Sequence, residues 1–302
     1  MDASFAQVQN KQRLLSLAVT MDYLISVIVP NYNSGQSLID LMESLRKQSL
    51  QNFEIIVVDG LSNDDSIKIV KGYQSFFKER LRVFSEKDKG IYDAMNKGIA
   101  ISNGSWLFFI GSNDRIYSNS TLLDIYKFLQ ETSSDVVYGN VLVMGDTGWA
   151  RDGDIYDGEF SLRKIFKKNI CHQGILYRKG MFQSHGTYNI EYPVCADYDL
   201  NLRFFAQTKF EFIPIVVAVF SGGGSSSSII DKVFFKDKYR NIVKYFCRYP
   251  YGFLFREILA TSQVGFSKRL YFTYLYIYYR TCSRLTKNLS KITKIRRCTK
   301  KI

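Results

Sequence analysis

Several common architectures are excluded by what this chain lacks. Its five cysteines (Cys171, Cys195, Cys247, Cys282 and Cys298) are odd in number, scattered, and never spaced C-x-x-C. That argues against a disulfide framework and a structural zinc, and predicts a reducing, intracellular setting. No apolar run approaches the ~20 residues a membrane-spanning helix needs. There are four prolines, Pro30, Pro193, Pro214 and Pro250, and each falls at a strand end or in a loop. No G-x-G-x-x-G follows the first apolar run and no G-x-x-x-x-G-K-[ST] occurs anywhere, which removes a Rossmann dinucleotide site and a P-loop.

What remains is a globular composition, 46% apolar and 15% aromatic over 302 residues. That is enough for one large core, or one domain with an appendage. Charge is split unevenly. Residues 1–230 carry 23 basic and 25 acidic side chains, whereas residues 231–302 carry 18 basic and 3 acidic. The whole cationic excess therefore lies in the last quarter and predicts an anionic partner there, membrane lipid or nucleic acid. Residues 1–23 form a leader of uncertain status. "LLSLAV" (14–19) follows Lys11 and Arg13 but is short and lacks a small-residue cleavage site, which argues against a signal peptide. Met21 is an alternative start.

Periodicity defines an α/β chain. "LISVIVP" (24–30), "FEIIVVD" (53–59), "LRVFS" (81–85), "WLFFI" (106–110) and "DVVYGN" (135–140) read as strands. Helices are predicted over 37–48, 65–77, 90–102 and 120–131, with Leu38, Leu41, Met42 and Leu45 marking the buried face of the first. In the third, Ile91, Met95 and Ile99 are spaced for burial. Alternating strands and helices predict a mostly parallel, doubly wound sheet. "SGGGSSSS" (221–228) is a flexible linker or a closing loop.

Open α/β sheets bind ligands at the carboxyl ends of their strands. Here four successive strand ends are polar: "PNYN" (30–33), "DGLSNDDS" (59–66), "EKDKGIYDAMNKG" (86–98) and "GSND" (111–114). A nucleotide held there must rely on carboxylates, backbone groups and a metal. Carboxylates accept from ribose hydroxyls and base N–H groups, while a diphosphate beside them needs an intervening cation. Mg²⁺ and Mn²⁺ prefer such oxygen ligands.

The runs "ISVIVPNYN", "EIIVVDGLSNDDS" and "EKDKGIYDAMNKGIAISNGSWLFFIGSND" resemble the donor half of inverting family-2 glycosyltransferases of GT-A fold. "CHQGILYRKGMF" (171–182) and "VCADYDLNLRFF" (194–205) resemble the acceptor half, most similar to bacterial enzymes that build surface polysaccharides. The resemblance covers roughly residues 24–225. It implies that Pro30, Asn31 and Tyr32 line the base pocket, Asp59 binds base or ribose, and Asp64 orders that pocket. It places Asp88 and Asn96 along the ribose and diphosphate, and Asp114 on a divalent metal (Mn²⁺ or Mg²⁺) with Asn113 aiding the donor or metal shell. Asp197 matches the general base, and His172 and Gln173 are candidate acceptor or diphosphate contacts. Asn113 departs from the family, which usually has a second aspartate there, so the metal shell lacks one charge.

Each residue also has a plainer role open to it. Asp59, Asn113 and Asp114 could be turn residues. Asp64 and Asp88 could cap helices, Asn96 could be a solvated helix residue, and Asp197 could serve the dipole of its helix.

The organisation expected is a GT-A domain over 24–230, divided into a nucleotide-sugar half (24–115) and an acceptor half (116–230), followed by a basic helical region (231–302). The function expected is transfer of one sugar from a nucleotide-sugar, UDP favoured, to a glycan or lipid-linked glycan acceptor at the cytoplasmic face of the plasma membrane. A nucleotidyltransferase and a non-catalytic basic module are the alternatives. In the tail, Tyr278, Cys282, Leu285, Leu289 and Ile292 repeat at 4, 3, 4 and 3, and Arg280, Arg284, Lys287, Lys291 and Lys294 do so two residues later. Two residues are about 200° on a helix, so the stripes oppose each other. That pattern predicts an interfacial helix on an anionic membrane surface. Nucleic acid is not expected, because no base-reading element accompanies the charge.

Overall fold

Two β-branched runs form interior strands of the sheet. β1 (Ile25–Asn31) and β2 (Phe53–Asp59) are buried along their whole length, as expected for parallel strands covered on both faces. A computed structural model describes residues 24–145, 147–223, 229–259 and 271–281. Between the first strands, α1 (Ser37–Arg46) lays Leu38, Leu41, Met42 and Leu45 on the sheet. The helix expected over 65–77 is two, α2 (Ser66–Gly72) and α3 (Gln74–Phe77). They divide at Tyr73, whose N–H closes on Val70 three residues back, a tighter turn than the α-helix allows.

Next come β3 (Leu81–Ser85), α4 (Ile91–Ile101), β4 (Trp106–Phe109), β5 (Arg115–Ile116) and α5 (Thr121–Glu131). β6 (Val136–Met144), β7 (Ile155–Tyr156), α6 (Leu162–Lys167), β8 (Ile175–Arg178) and α7 (Lys179–His185) follow. α8 (Ala196–Phe205), β9 (Phe210–Ser221), α9 (Lys232–Phe246) and α10 (Tyr251–Leu259) complete the main body. Residues 271–281 form a further helix, α11.

The strands form one sheet in the order β3-β2-β1-β4-β8-β6-β9-β5, with β7 beside β6. β1 to β4 are parallel, and β8 runs against both β4 and β6. β6 therefore points with the first four, and β9 lies parallel to it. The sheet is mostly parallel, as expected, and it runs unbroken past residues 115 and 116, which lie inside β5.

Side chains alternate between the two faces. Val27 and Val29 pack in the layer with α1, while Ile28 faces the layer with Met95 and Ile99 of α4. One expectation fails here. Ile91 is exposed, and Tyr92 takes its place on the buried face. Met95 and Ile99 keep the expected face, and at the first turn the Tyr92 hydroxyl reaches the later half of the chain.

α9 packs on α8 through Phe234 against Tyr198, and α11 buries Phe272, Leu275 and Tyr276. Of the two tail stripes, only Tyr278 and Arg280 are among the described residues. Tyr278 is exposed, as an interfacial stripe requires, whereas Arg280 departs from the basic stripe and turns inward to the carbonyls of Cys247 and Tyr249. Cys282, Arg284, Leu285, Lys287, Leu289, Lys291, Ile292 and Lys294 lie outside the described residues, as do residues 224–228 of the glycine-serine stretch.

At the amino ends of the strands, Gly104 donates to Ser26 Oγ at 2.8 Å. A Cβ on Gly104 would lie 2.6 Å from the Ser26 nitrogen and 2.9 Å from the Ile25 carbonyl carbon, with no flexible side chain to give way. Gly104→Ala is expected to lower stability by about 1–3 kcal/mol, the usual cost of overpacking. Urea denaturation measures this, with nucleotide affinity unchanged because the site is at the opposite strand ends.

Candidate active site

The register of the sheet builds the first part of the site. Asn31 lies opposite Asp59, and Asp59 opposite Ser85, so three polar side chains form a row at the carboxyl ends of β1, β2 and β3. Asn31 Nδ2 and Ser62 Oγ donate to Asp59 Oδ1 at 2.6 and 2.5 Å. Ser62 N and Ser85 Oγ donate to Asp59 Oδ2 at 3.0 and 2.7 Å. Burial opposes the charge of Asp59, but the bonds from Ser62, Ser85 and Asn31 prevail and hold its carboxyl below the ordinary value. Four donors use the acceptor capacity of both oxygens. Asp59 therefore reaches the expected place but its oxygens are spent on the protein. The buried group left without a partner is Asn31 Oδ1.

Pro30 is buried in β1 beside this row. Tyr32 is 66% exposed. A Cβ on Gly60 would lie 2.6 Å from Asp88 Oδ2 and 3.3 Å from the Tyr32 ring, so the bare glycine lets that carboxylate and ring close over the turn. Asp88 Oδ1 accepts from Gly90 N at 2.9 Å, just before α4. Asp64 accepts from Ser66 N at 3.0 Å at the start of α2, and its bonds to Ser66 hold its carboxyl below the ordinary value. Ser66 Oγ in turn accepts from Ser34 N and Gly35 N. Asp64 thus orders the loop after β1 through Ser66.

The second part lies after β4. Asp114 is 1% exposed. Its Oδ1 accepts from Ser221 N at 2.9 Å and its Oδ2 from Gln173 Nε2 at 2.8 Å. Burial raises its pKa above the ordinary value, against the pull of those donors. Asn113 is exposed, its amide 3.4 Å from the Ser221 carbonyl. A Cβ on Gly111 would lie 2.6 Å from Asp114 Oδ2 and 3.2 Å from Asn113 Oδ1, so the two oxygens converge over an unfilled cradle. That donor pair fits a hard cation whose other positions are taken by phosphate and water. No group of three or more metal-ligating side chains occurs among the described residues, so protein alone supplies only part of such a shell.

The third part is the expected base. Asp197 lies in the first turn of α8, where the helix dipole favours a carboxylate. It accepts from Tyr198 N on Oδ1 at 2.8 Å and from Asn169 Nδ2 on Oδ2 at 2.7 Å. The Tyr92 hydroxyl lies between the Val194 carbonyl at 2.5 Å and Asp197 Oδ1 at 3.0 Å, its one proton shared between them. Burial, and then the Asp197 carboxylate, push the Tyr92 hydroxyl well above its ordinary range, so it stays protonated and donates. His172 Nδ1 is 3.6 Å from Asp197 Oδ2, and His172 Nε2 is buried without a partner. Asp199 points away, toward Asn241 and Tyr245 of α9.

Consecutive residues join the second and third parts. His172 faces Asp197 while Gln173 donates to Asp114. The orientation of Gln173 is fixed by Cys171, whose Sγ donates to its Oε1 at 2.9 Å. Burial, and then Asp114, raise the Cys171 thiol far above its ordinary pKa and keep its proton on.

Asn96, expected along the ribose and diphosphate, pairs both edges of its amide with the Tyr188 backbone, at 2.9 and 3.0 Å. Tyr188 packs on Tyr92 at 5.3 Å between centroids, so Asn96 braces the tyrosine that orients Asp197. The sequence reading also passed over Tyr92, Ser62, Ser85, Asn169 and Ser221. Tyr92 and Ser62 lie inside the motifs, but the others carry no local signal.

Asp59 generates a pH prediction. Its folded pKa lies below the unfolded value, so the unfolded chain binds the proton first as pH falls. Its stabilisation is full above the unfolded value and lost as pH falls through the lower folded one. Asp59→Asn is expected to cost about 1–3 kcal/mol near neutrality, the usual worth of hydrogen bonds to a charged group. Urea midpoints across pH should show that the gap from the unaltered protein narrows below the ordinary carboxylate range.

With this geometry established, comparison with known proteins is informative. Residues 26–186 match the family described as Glycosyl transferase family 2. A PGL/p-HBAD biosynthesis glycosyltransferase from Mycobacterium bovis (strain BCG / Pasteur 1173P2) is 38% identical over 218 residues, covering 70% of this chain and 83% of its own. Glycosyltransferase GlyG of Streptococcus pneumoniae is 36% identical over 137 residues, 45% of this chain and 44% of its own. In fold, the chain resembles S. aureus TarS 1–349 in complex with UDP-GlcNAc, with a TM-score of 0.66 at 22% identity over 78% of this chain and 71% of that one. The strand-end row, the buried acids and these similarities agree: the chain belongs to glycosyltransferase family 2 and is a glycosyltransferase of GT-A fold.

Proposed function

We propose that this glycosyltransferase moves a single sugar, with inversion, from a nucleotide-sugar to a hydroxyl of a lipid-linked glycan acceptor in surface polysaccharide biosynthesis. The observation that carries the reading is the His172–Gln173 pair, which holds the base candidate and the strand-end acid to one peptide unit. Leaving group and attacking hydroxyl must meet across such a short span. Family membership leaves no support for a nucleotidyltransferase or a non-catalytic basic module.

In this reading the nucleotide lies along the row at β1 to β3, with Pro30, Asn31, Tyr32, Asp59, Asp64 and Asp88 forming or ordering its pocket. UDP is favoured by the resemblance, and TarS binds UDP-GlcNAc within the same fold. The acceptor oxygen forms its bond to the anomeric carbon as the bond to the diphosphate breaks. Asp197 takes the hydroxyl proton, while Tyr92 and Asn169 keep the carboxylate aimed. Inversion in one displacement requires no enzymic nucleophile. Asp114 Oδ2 and Asn113 Oδ1 would hold the Mn²⁺ or Mg²⁺, which when bound supplies positive charge to the departing diphosphate. His172 Nε2, open and buried, is the group for an acceptor or diphosphate contact.

Residues 231–302 would keep the enzyme on the cytoplasmic face of the plasma membrane as a peripheral protein. No helix among the described residues is long and apolar enough to cross a membrane. The support is the charge of this region and the exposed Tyr271, Tyr274, Ile277 and Tyr278 on α11, residues suited to a headgroup layer.

Two outcomes test the reading. Asp197→Asn should keep nucleotide-sugar affinity and lower kcat by roughly 10²–10⁴-fold, the usual worth of a positioned base. Unchanged turnover would remove Asp197 from the role. The full chain should co-sediment with vesicles containing phosphatidylglycerol and dissociate as salt is raised. Equal binding to neutral vesicles would remove the electrostatic anchor.

A further inference from the structure

Lys238 is a buried cation without an anion. It is 6% exposed on α9, and its ammonium lies 4.5 Å from the Tyr198 ring centroid and 5.9 Å from that of Phe235. Among the described residues it makes no hydrogen bond or ion pair. Ring faces attract a cation, but less strongly than a carboxylate does once water is excluded. Burial draws the ammonium down to about 8.

The carboxylates that could have neutralised it are engaged elsewhere. Asp231 accepts from Phe234 N at the start of α9 and from Val194 N and Cys195 N just before α8. Asp237 holds Arg240 and Tyr192. Glu257 holds Arg163 and Arg256. These are the only three acids beyond residue 230. Asp199 has Asn241, Tyr245 and Arg203, and Asp197 is held by Tyr92, Asn169 and Tyr198.

Two further features give the site a place and a character. Tyr198, under the ammonium, directly follows Asp197, and Asp231 ties the segment before α8 to α9. Lys238 therefore packs against the first turn of the helix that carries the base candidate. The same stretch of α9 and the two residues before Asp231 expose Ile229, Ile230, Val233 and Phe235, an apolar lip whose Phe235 ring lies 5.9 Å from the ammonium.

We propose that Lys238 and this lip seat the phosphate and first apolar segment of an amphiphilic phosphate-bearing acceptor. The proposal rests on the transferase reading, which it deepens by giving the acceptor its chemical class. The ammonium pairs with a phosphate oxygen, the chain lies along Ile229, Ile230, Val233 and Phe235, and the glycan beyond the phosphate reaches Asp197.

The probes are decyl phosphate, inorganic phosphate and decyl glucoside, each titrated calorimetrically below its micellar concentration against the full chain. The variants are Lys238→Met, which keeps the volume, and Lys238→Arg, which keeps the charge. Decyl phosphate is expected to bind about tenfold or more weakly to Lys238→Met and within about threefold to Lys238→Arg, as charge-assisted hydrogen bonds dictate. Decyl glucoside should not distinguish the three proteins. Equal decyl phosphate affinity for Lys238→Met and the unaltered chain overturns the proposal. Inorganic phosphate binding as tightly as decyl phosphate overturns the amphiphile in favour of a water-soluble phosphate. UDP titrated in parallel should bind all three proteins alike, which verifies their fold. If UDP and nucleotide-sugars fail to bind the unaltered chain, the transferase reading fails while the phosphate result stands by itself.

Discussion

The reach of two adjacent side chains, His172 to Asp197 and Gln173 to Asp114, is the constraint on which the site depends. Asp114 follows the fourth strand and Asp197 opens a helix more than eighty residues later, so nothing local holds them together. The 3₁₀ turn His172–Gly174, just before β8, does so. β8 enters the sheet between β4 and β6 against their direction, and that places its amino end at the carboxyl ends of its neighbours. An antiparallel insertion in a mostly parallel sheet thus delivers acceptor-side residues to the donor edge.

Polar satisfaction around this bridge is layered. Cys171 fixes Gln173, which holds Asp114, while Ser221 N takes the other carboxylate oxygen. Asn96 fixes Tyr188, which braces Tyr92, which orients Asp197. Asp59 is held by four donors. In a low-dielectric interior, buried carboxylates are expensive unless each lone pair has a donor. Of the buried polar atoms left open, Asn31 Oδ1 and His172 Nε2 lie beside the site's acids and are therefore the informative ones. They are acceptor or donor capacity that the fold does not use for itself.

The C-terminal region has two physical characters. Its inner faces are ordinary core, with Phe234, Ile242, Val243 and Phe246 buried against the catalytic layer. Its outer faces, among the described residues, carry Lys232, Lys236, Arg240, Lys244, Arg248 and Arg256 and the exposed aromatics of α11. Arg280 shows how the two compete. Spacing assigned it to a basic outer stripe, but the carbonyls of Cys247 and Tyr249, at and just past the end of α9, draw it inward. An orphan helix-end carbonyl is a strong local attractor for a guanidinium, and helical periodicity carries no information about it.

The sequence by itself determined the alternation of strands and helices, the buried face of α1, and the gathering of polar residues at one edge of the sheet. Those features follow from periodicity and from the short-range preferences of turns, which neighbouring residues express directly. Its motifs also marked Asp59, Asp114 and Asp197. Tertiary structure decided what these residues touch. It buried Tyr92 and exposed Ile91 at the start of α4, tied the Asn96 amide to the Tyr188 backbone, and brought Asn169 and Ser221 to the two acids. It also saturated Asp59 and left Lys238 unpaired. Such outcomes depend on which distant donors reach a carboxylate, on helix rotation and on strand register, and these are set only when the whole sheet closes.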